Sequence, residues 1–272
     1  MISSGLVQKH IKPVSDTVQP AKGSGHTPFM VRCLSLSILL VIWQMSVVWF
    51  EPALLPSPLA VFRNLGVAIQ SGELLHHLGI TLQRVAISFV LAMALGILLG
   101  LVMGHFRRVD LWLDGILTLA LNIPALVTII LCLMWFGLNE FSAILAVIIN
   151  KAPNVAVTLR EGAKAIDTNL MNVARAYRLS VFRTFTKVYL PQLYPYLLAS
   201  ARSGLALVWK IVLVVELIGC SDGVGFQLST FFQFFDITSI LAYTLAFAAV
   251  IYFIEGAVLR PWERKVSGWR QC

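Results

Sequence analysis

Arg202, Trp209 and Glu216 recur at intervals of seven within the otherwise apolar run 193–218. At 100° per residue they fall within an arc of about 40°, one stripe along a helix. Lys210 lies about 80° from Arg202, on the other side of that stripe. The preceding apolar runs add Asn150 and Lys151, and Asn122 just ahead of Pro124. Ionisable side chains within a membrane are expensive, and they face protein or water. Two chemistries fit. These seven residues could line a translocation path in which Lys210 offers a positive charge to an anion at mid-depth. Alternatively, Glu216 and either Lys151 or Lys210 neutralise each other between helices.

A second chemical feature is NVARAYRLSVFRTFTKVYLP, residues 172–191, where Arg175, Arg178, Arg183 and Lys187 alternate with aromatic and apolar residues. Leu170, Val173, Ala174 and Tyr177 have helical spacing, which predicts a helix over about 167–177. Ser180 is a good N-cap for a second helix, Val181 to Tyr189, with Phe182, Phe185 and Tyr189 on one face. Pro191 disfavours helix at Leu190 and is expected to close the unit before the next apolar run. A solvated loop would not need the aromatics. An interfacial helix on anionic lipid and a docking ridge for a protein groove both would.

Other chemistries find no support. Five histidines form no group with acids, and His76–His77, expected in an outer loop, have no partner at metal-ligand spacing. No metal site is expected. Neither G-x-x-x-x-G-K-[ST] nor another phosphate-cradling loop occurs, so P-loop ATP hydrolysis by this chain is excluded. Cys33, Cys132, Cys220 and Cys272 are scattered singly and read as free thiols.

The elements that must position these residues are membrane helices. The 272 residues are 58% hydrophobic and 12% charged, half of the roughly 25% charge of soluble domains. The net charge of +8 lies between apolar runs rather than in a basic domain, so nucleic acid is not a partner. Residues 1–30 are polar and predict a disordered tail. The apolar runs 33–50, 85–104, 115–138, 141–159, 193–218 and 237–254 predict six spans of about 20 residues. With both termini inside, sixteen Lys and Arg fall in inner segments (among them Lys9, Arg107, Arg160, Arg178 and Arg264) against Arg63 in an outer one, with Arg84 at the edge of the run 85–104. The positive-inside rule then places 172–191 and both termini in the cytoplasm. Gly96 and Gly100 form a G-x-x-x-G, expected to pack helices within one subunit.

The segment 172–191 resembles the cytoplasmic loop of binding-protein-dependent ABC importer permeases, roughly E-A-A-x-x-x-G, nine residues, then I-x-L-P. Val173, Ala174 and Arg175 match its start, and Val188-Tyr189-Leu190-Pro191 match its end. Asn172 replaces the usual Glu and Arg178 the usual Gly, so Arg178 must take an unfavourable φ or sit in a differently shaped turn. Leu55-Pro56-Ser57-Pro58, Trp135 to Glu140, Pro153, Thr158, Gly162, Gly223-Val224-Gly225 and Trp269-Arg270 are similar to the sulfonate, taurine and nitrate permeases, across about 33–272.

The resemblance implies an all-α membrane protein of type I ABC importer architecture. Six transmembrane helices would carry a coupling-helix loop, about 160–192, between helices 4 and 5. It further implies a bacterial inner-membrane permease that homodimerises and binds two ATP-binding subunits on the cytoplasmic side. A periplasmic or lipid-anchored solute-binding protein would deliver the substrate. ATP and Mg would belong to the partner subunits, with no cofactor in this chain. Asn172, Ala174, Arg175, Tyr177, Arg178, Ser180, Phe182, Phe185, Leu190 and Pro191 are the expected ATPase-coupling residues. The substrate would be an organic or inorganic oxyanion. The alternatives are a vitamin-precursor or other heterocycle permease, or an ATPase-independent secondary transporter. The latter should show inverted repeats, and none is evident between 33–135 and 136–259.

Overall fold

A computed structural model describes residues 27–49 and 55–259. Every regular element among them is helical. The first is α1 (Thr27–Trp49), then α2 (Pro58–Gln70), α3 (Glu73–His105), α4 (Arg107–Asn122) and α5 (Ala125–Phe136). These are followed by α6 (Glu140–Lys164), α7 (Thr168–Ala176), α8 (Val181–Thr184) and a π turn (Phe185–Tyr189). The chain continues as α9 (Leu190–Gly219), α10 (Val224–Gln233) and α11 (Ile237–Ile254), with a last π turn at Glu255–Leu259. The expected tail lies outside the described residues except for Thr27–Met30, which open α1. Trp269-Arg270 also lies outside them.

Helix starts follow local chemistry. Ser57 accepts from the Ala60 N–H at 3.2 Å with Pro58 in the first turn, which explains the L-P-S-P stretch. Asn139 caps α6 through Ser142 N–H at 2.9 Å. Asp167 caps α7 and Asp236 caps α11.

Each of the six apolar runs lies on a helix, but not all as simple rods. Four helical stretches are long and apolar enough to cross a membrane: Glu73–His105, Glu140–Lys164, Val181–Gly219 and Ile237–Ala257. The third run is broken, because Ile123 is extended and Pro124 cannot continue the ladder, so α4 and α5 meet at 97°. The first run gives a shorter apolar stretch, Ser37–Trp49. α3 begins well before the expected residue 85, since Gly72 at φ +77° ends the preceding turn and the helix starts at Glu73. His76 and His77 therefore sit on a helix rather than in a loop.

The core is a seam of close-packed helices. A Cβ on Gly96 would stand 2.4 Å from Val155 Cβ, and one on Gly100 2.5 Å from the Ala156 carbonyl oxygen. Gly104 continues the series against Ala163, so α3 and α6 run parallel at near-backbone contact. The glycine pair thus packs within one subunit, as expected. α9 runs antiparallel to both, with Gly162 under the Tyr196 ring and Gly204 under Lys151. Ile129, Val147, Val208, Val212 and Tyr243 close the main cluster.

Candidate functional site: a basic end and a buried ion hub

At the end of the bundle carrying His105, α7 and α8 fold back over the spans. α7 ends in a tight turn: Leu179 N–H donates to the Ala174 carbonyl and Arg178 N–H to that of Arg175, both at 3.0 Å. This closure requires a left-handed residue after the helix, a position that favours glycine. Arg178 occupies it at φ +49°. Of the two outcomes expected for the missing glycine, the strained φ is the one observed. Ser180 accepts from Arg183 N–H at 3.4 Å and starts α8 where expected.

The predicted stop at Leu190 does not occur. Residues 185–189 form a π turn in which Leu190 N–H reaches back to the Phe185 carbonyl, and the helix runs on into α9. The wider turn gives the Pro191 ring room, and Gln192 Nε2 donates to the Val188 carbonyl at 2.8 Å. α8, the π turn and the following span are consequently one helical rod, Val181–Gly219.

The surface of this unit is unequal. Ala174 is buried and Leu190 half-buried, whereas Asn172, Arg175, Arg178, Ser180 and Pro191 are exposed. Tyr177, Val181 and Phe182 project at 79%, 87% and 76% exposure. Phe185, at 44% exposure, stacks on Tyr189, centroids 5.7 Å apart. Between this pair and the end of α3 lies a cavity of about 540 Å³ lined by Leu101, His105, Phe106, Met171 and Phe185. Beside it, Arg160 of α6 pairs with Asp110 and Asp114 of α4, and Lys164 with Asp110 at 2.8 Å.

The opposite end holds a second constellation. Glu216 is fully buried and accepts from Arg84 Nη1 at 2.5 Å, Thr81 Oγ1 at 2.9 Å and Gly225 N–H at 2.9 Å. Arg84 also binds Glu140 through Nε at 2.9 Å and through Nη2, and Asp222 through Nη2 at 2.6 Å. One guanidinium thus ties α3 to α6, to α9 and to the turn before α10. Gly223, at φ +100°, carries no Cβ because one would fall 2.4 Å from the Glu216 carboxyl carbon. His77 is buried here and accepts from Gly223 N–H at 3.1 Å, not solvated as its expected loop position implied.

Glu216 therefore pairs with Arg84, not with Lys151 or Lys210. Arg84 escaped notice as its partner because it borders an apolar run and lies 132 residues away. The one available signal was a buried acid in a span lacking a cation at its own depth.

The other candidates are dispersed. Trp209 is buried against Phe247 in an edge-to-face contact, 5.9 Å between centroids, while Arg202 and Lys210 are exposed. The seven-residue stripe thus crosses from core to surface. Asn122 and Asn150 cap carbonyls of their own helices, Thr118 at 2.7 Å and Ala146 at 2.9 Å. Lys151 is buried beside Gly204. Among the described residues no three His, Cys, Asp or Glu could share a metal ion.

Comparison with known proteins adds descent to this geometry. The family described as binding-protein-dependent transport system inner membrane component matches residues 92–260. The chain is 30% identical over 263 residues to a protein of Bacillus subtilis 168 described as an aliphatic sulfonates transport permease, SsuC, covering 95% of this chain and 94% of that one. It is 28% identical to the taurine transport permease TauC of Escherichia coli K12, covering 86% and 88%. It is 29% identical to the nitrate import permease NrtB of Synechococcus elongatus, covering 73% and 75%. Among solved structures, an amino acid ABC transporter with histidines superposes with a TM-score of 0.58 at 21% identity, covering 74% of this chain and 97% of that one. The methionine transporter MetNI gives 0.55 at 19% identity, covering 69% and 92%. The two superpositions show a shared type I importer fold.

Proposed function

We propose a function from this premise: the chain belongs to the family of binding-protein-dependent transport system inner membrane components, and it is the multi-pass permease subunit of an ABC importer. Its cargo is a small oxyanion of the sulfonate, taurine or nitrate type, as the three relatives' names support. The heterocycle and secondary-transporter alternatives draw no support from them.

The permease homodimerises and takes two ATP-binding subunits, with their ATP and Mg, against α7 and α8. A solute-binding protein delivers the anion at the opposite end. Both termini and the α7–α8 end face the cytoplasm, by the positive-inside bias. The observation that carries the reading is the exposed Val181 and Phe182 on an element continuous with a spanning rod, with Tyr177 exposed beside them at the end of α7. Apolar side chains held out on two short capped helices fit a groove in a partner. Work done on them travels along α9 with no loop between.

Truncating Phe182 and Phe185 to Ala together tests this. The double variant should insert in the membrane at wild-type level yet lose ATP-binding-subunit copurification and anion uptake. Unchanged copurification and uptake would overturn the reading.

A further inference from the structure

Lys151 is the residue that coupling and packing leave unexplained. Its side chain is 1% exposed, and neither a carboxylate nor a hydrogen-bond acceptor reaches it among the described residues. Phe89 of α3 and Gly204 of α9 hem it in. A Cβ on Gly204 would stand 2.9 Å from Lys151 Cε and 3.5 Å from Nζ, so the missing side chain makes room for the end of the lysine stem. Lys151 lies eleven residues beyond Glu140, about 16 Å along α6 and near the middle of a hydrocarbon core about 30 Å thick.

The contrast with Arg84 is direct. In the same bundle, one buried cation has three carboxylates and the other has none. α3 adds a second orphan donor, Ser88, whose hydroxyl is fully buried and without partner. Ser88 stands at four-residue spacing from Ala92, Gly96 and Gly100, of which the two glycines pack on α6. An unpaired ammonium in an apolar interior is strongly unfavourable, and Met would fill the same slot without that cost. The buried ammonium lacks a negatively charged acceptor among the described residues. Two residues on, Pro153 deprives the Ile149 carbonyl of its helical donor, so α6 is least braced beside the lysine.

We infer that Lys151 is a specificity-determining residue inside each subunit, its ammonium pairing with an oxygen of the passing oxyanion. The inference rests on the oxyanion reading above. It needs no second copy of the chain to complete the site.

The test is uptake of taurine, ethanesulfonate and nitrate by the complete transporter in proteoliposomes, with ATP-binding subunits and binding protein present. Lys151→Met should assemble with the ATP-binding subunits but lose uptake about tenfold or more, the scale of one charge-assisted hydrogen bond. Lys151→Arg should retain most of it. Gly204→Ala, which presses on the lysine stem without removing charge, should raise the half-saturating anion concentration and serves if Lys151→Met fails to assemble. Wild-type uptake by Lys151→Met, or an unchanged half-saturation in Gly204→Ala, overturns the inference and leaves the oxyanion reading standing. A wild-type transporter that moves none of the three anions overturns both.

Discussion

Removing one side or the other of the Arg84–Glu216 contact leaves very different remainders. Without Glu216, Arg84 keeps Glu140 and Asp222, whose side chains are 60% and 38% exposed. Without Arg84, Glu216 keeps a hydroxyl and one backbone N–H but no cation, at zero exposure. Arg84→Met should therefore cost about 3–5 kcal/mol, the range for stranding a buried charge. Glu216→Gln should cost about 1–2 kcal/mol, since the amide can still accept from Thr81 and Gly225. Denaturant unfolding of the purified protein measures both, and equal losses would contradict this assignment of roles. The pairing was illegible in the sequence, because helical periodicity orders residues along one helix and says nothing about which distant helix turns toward it. The Arg178 turn was legible, because its hydrogen bonds close within six residues.

At the scale of elements, the glycines separate into two kinds. Gly100 faces the Ala156 carbonyl at 2.5 Å and Leu159 Cβ at 2.8 Å, both held by α6. Gly100→Ala should destabilise by about 1–3 kcal/mol through forced separation of the helices. Gly66, inside α2, has nothing within 4 Å of an added Cβ. Gly66→Ala should stabilise by about 0.5–1 kcal/mol through backbone entropy alone. Thermal unfolding of the two variants in one detergent reads the opposite signs. The G-x-x-x-G spacing announced the first kind, while the run's break at Pro124 was visible only as a possibility. Pro191 misled in the other direction. A proline rule written for α-helices expects a stop, and the π turn before it absorbed the defect.

Across the whole molecule, charge divides the two ends. Arg107, Arg108, Arg160, Lys164, Arg175, Arg178, Arg183 and Lys187 gather at one, while Glu73, Glu140 and Asp222 gather at the other. In a cysteine-free background, Arg183→Cys should label only from the cytoplasmic side and Arg63→Cys only from outside, with an impermeant maleimide as the probe. Labelling of position 183 from outside would invert the orientation and remove the ATP-binding subunits from α7 and α8. The helical apolar runs could be read from the sequence because each is a sum over many residues. The hub and the orphan lysine could not, because each depends on three helices meeting at one point.

The uninterrupted stretch from Val181 to Gly219 spans 39 residues, about 58 Å of rise against a hydrocarbon slab of about 30 Å. Such a beam overhangs its support, with Phe182 near one tip and Glu216 near the other. Rocking it about its centre by about 5° swings each tip through about 2.5 Å, in opposite senses. That displacement approaches the length of a hydrogen bond, so a nudge at the aromatic tip is felt as tension on the carboxylate that Arg84 grips.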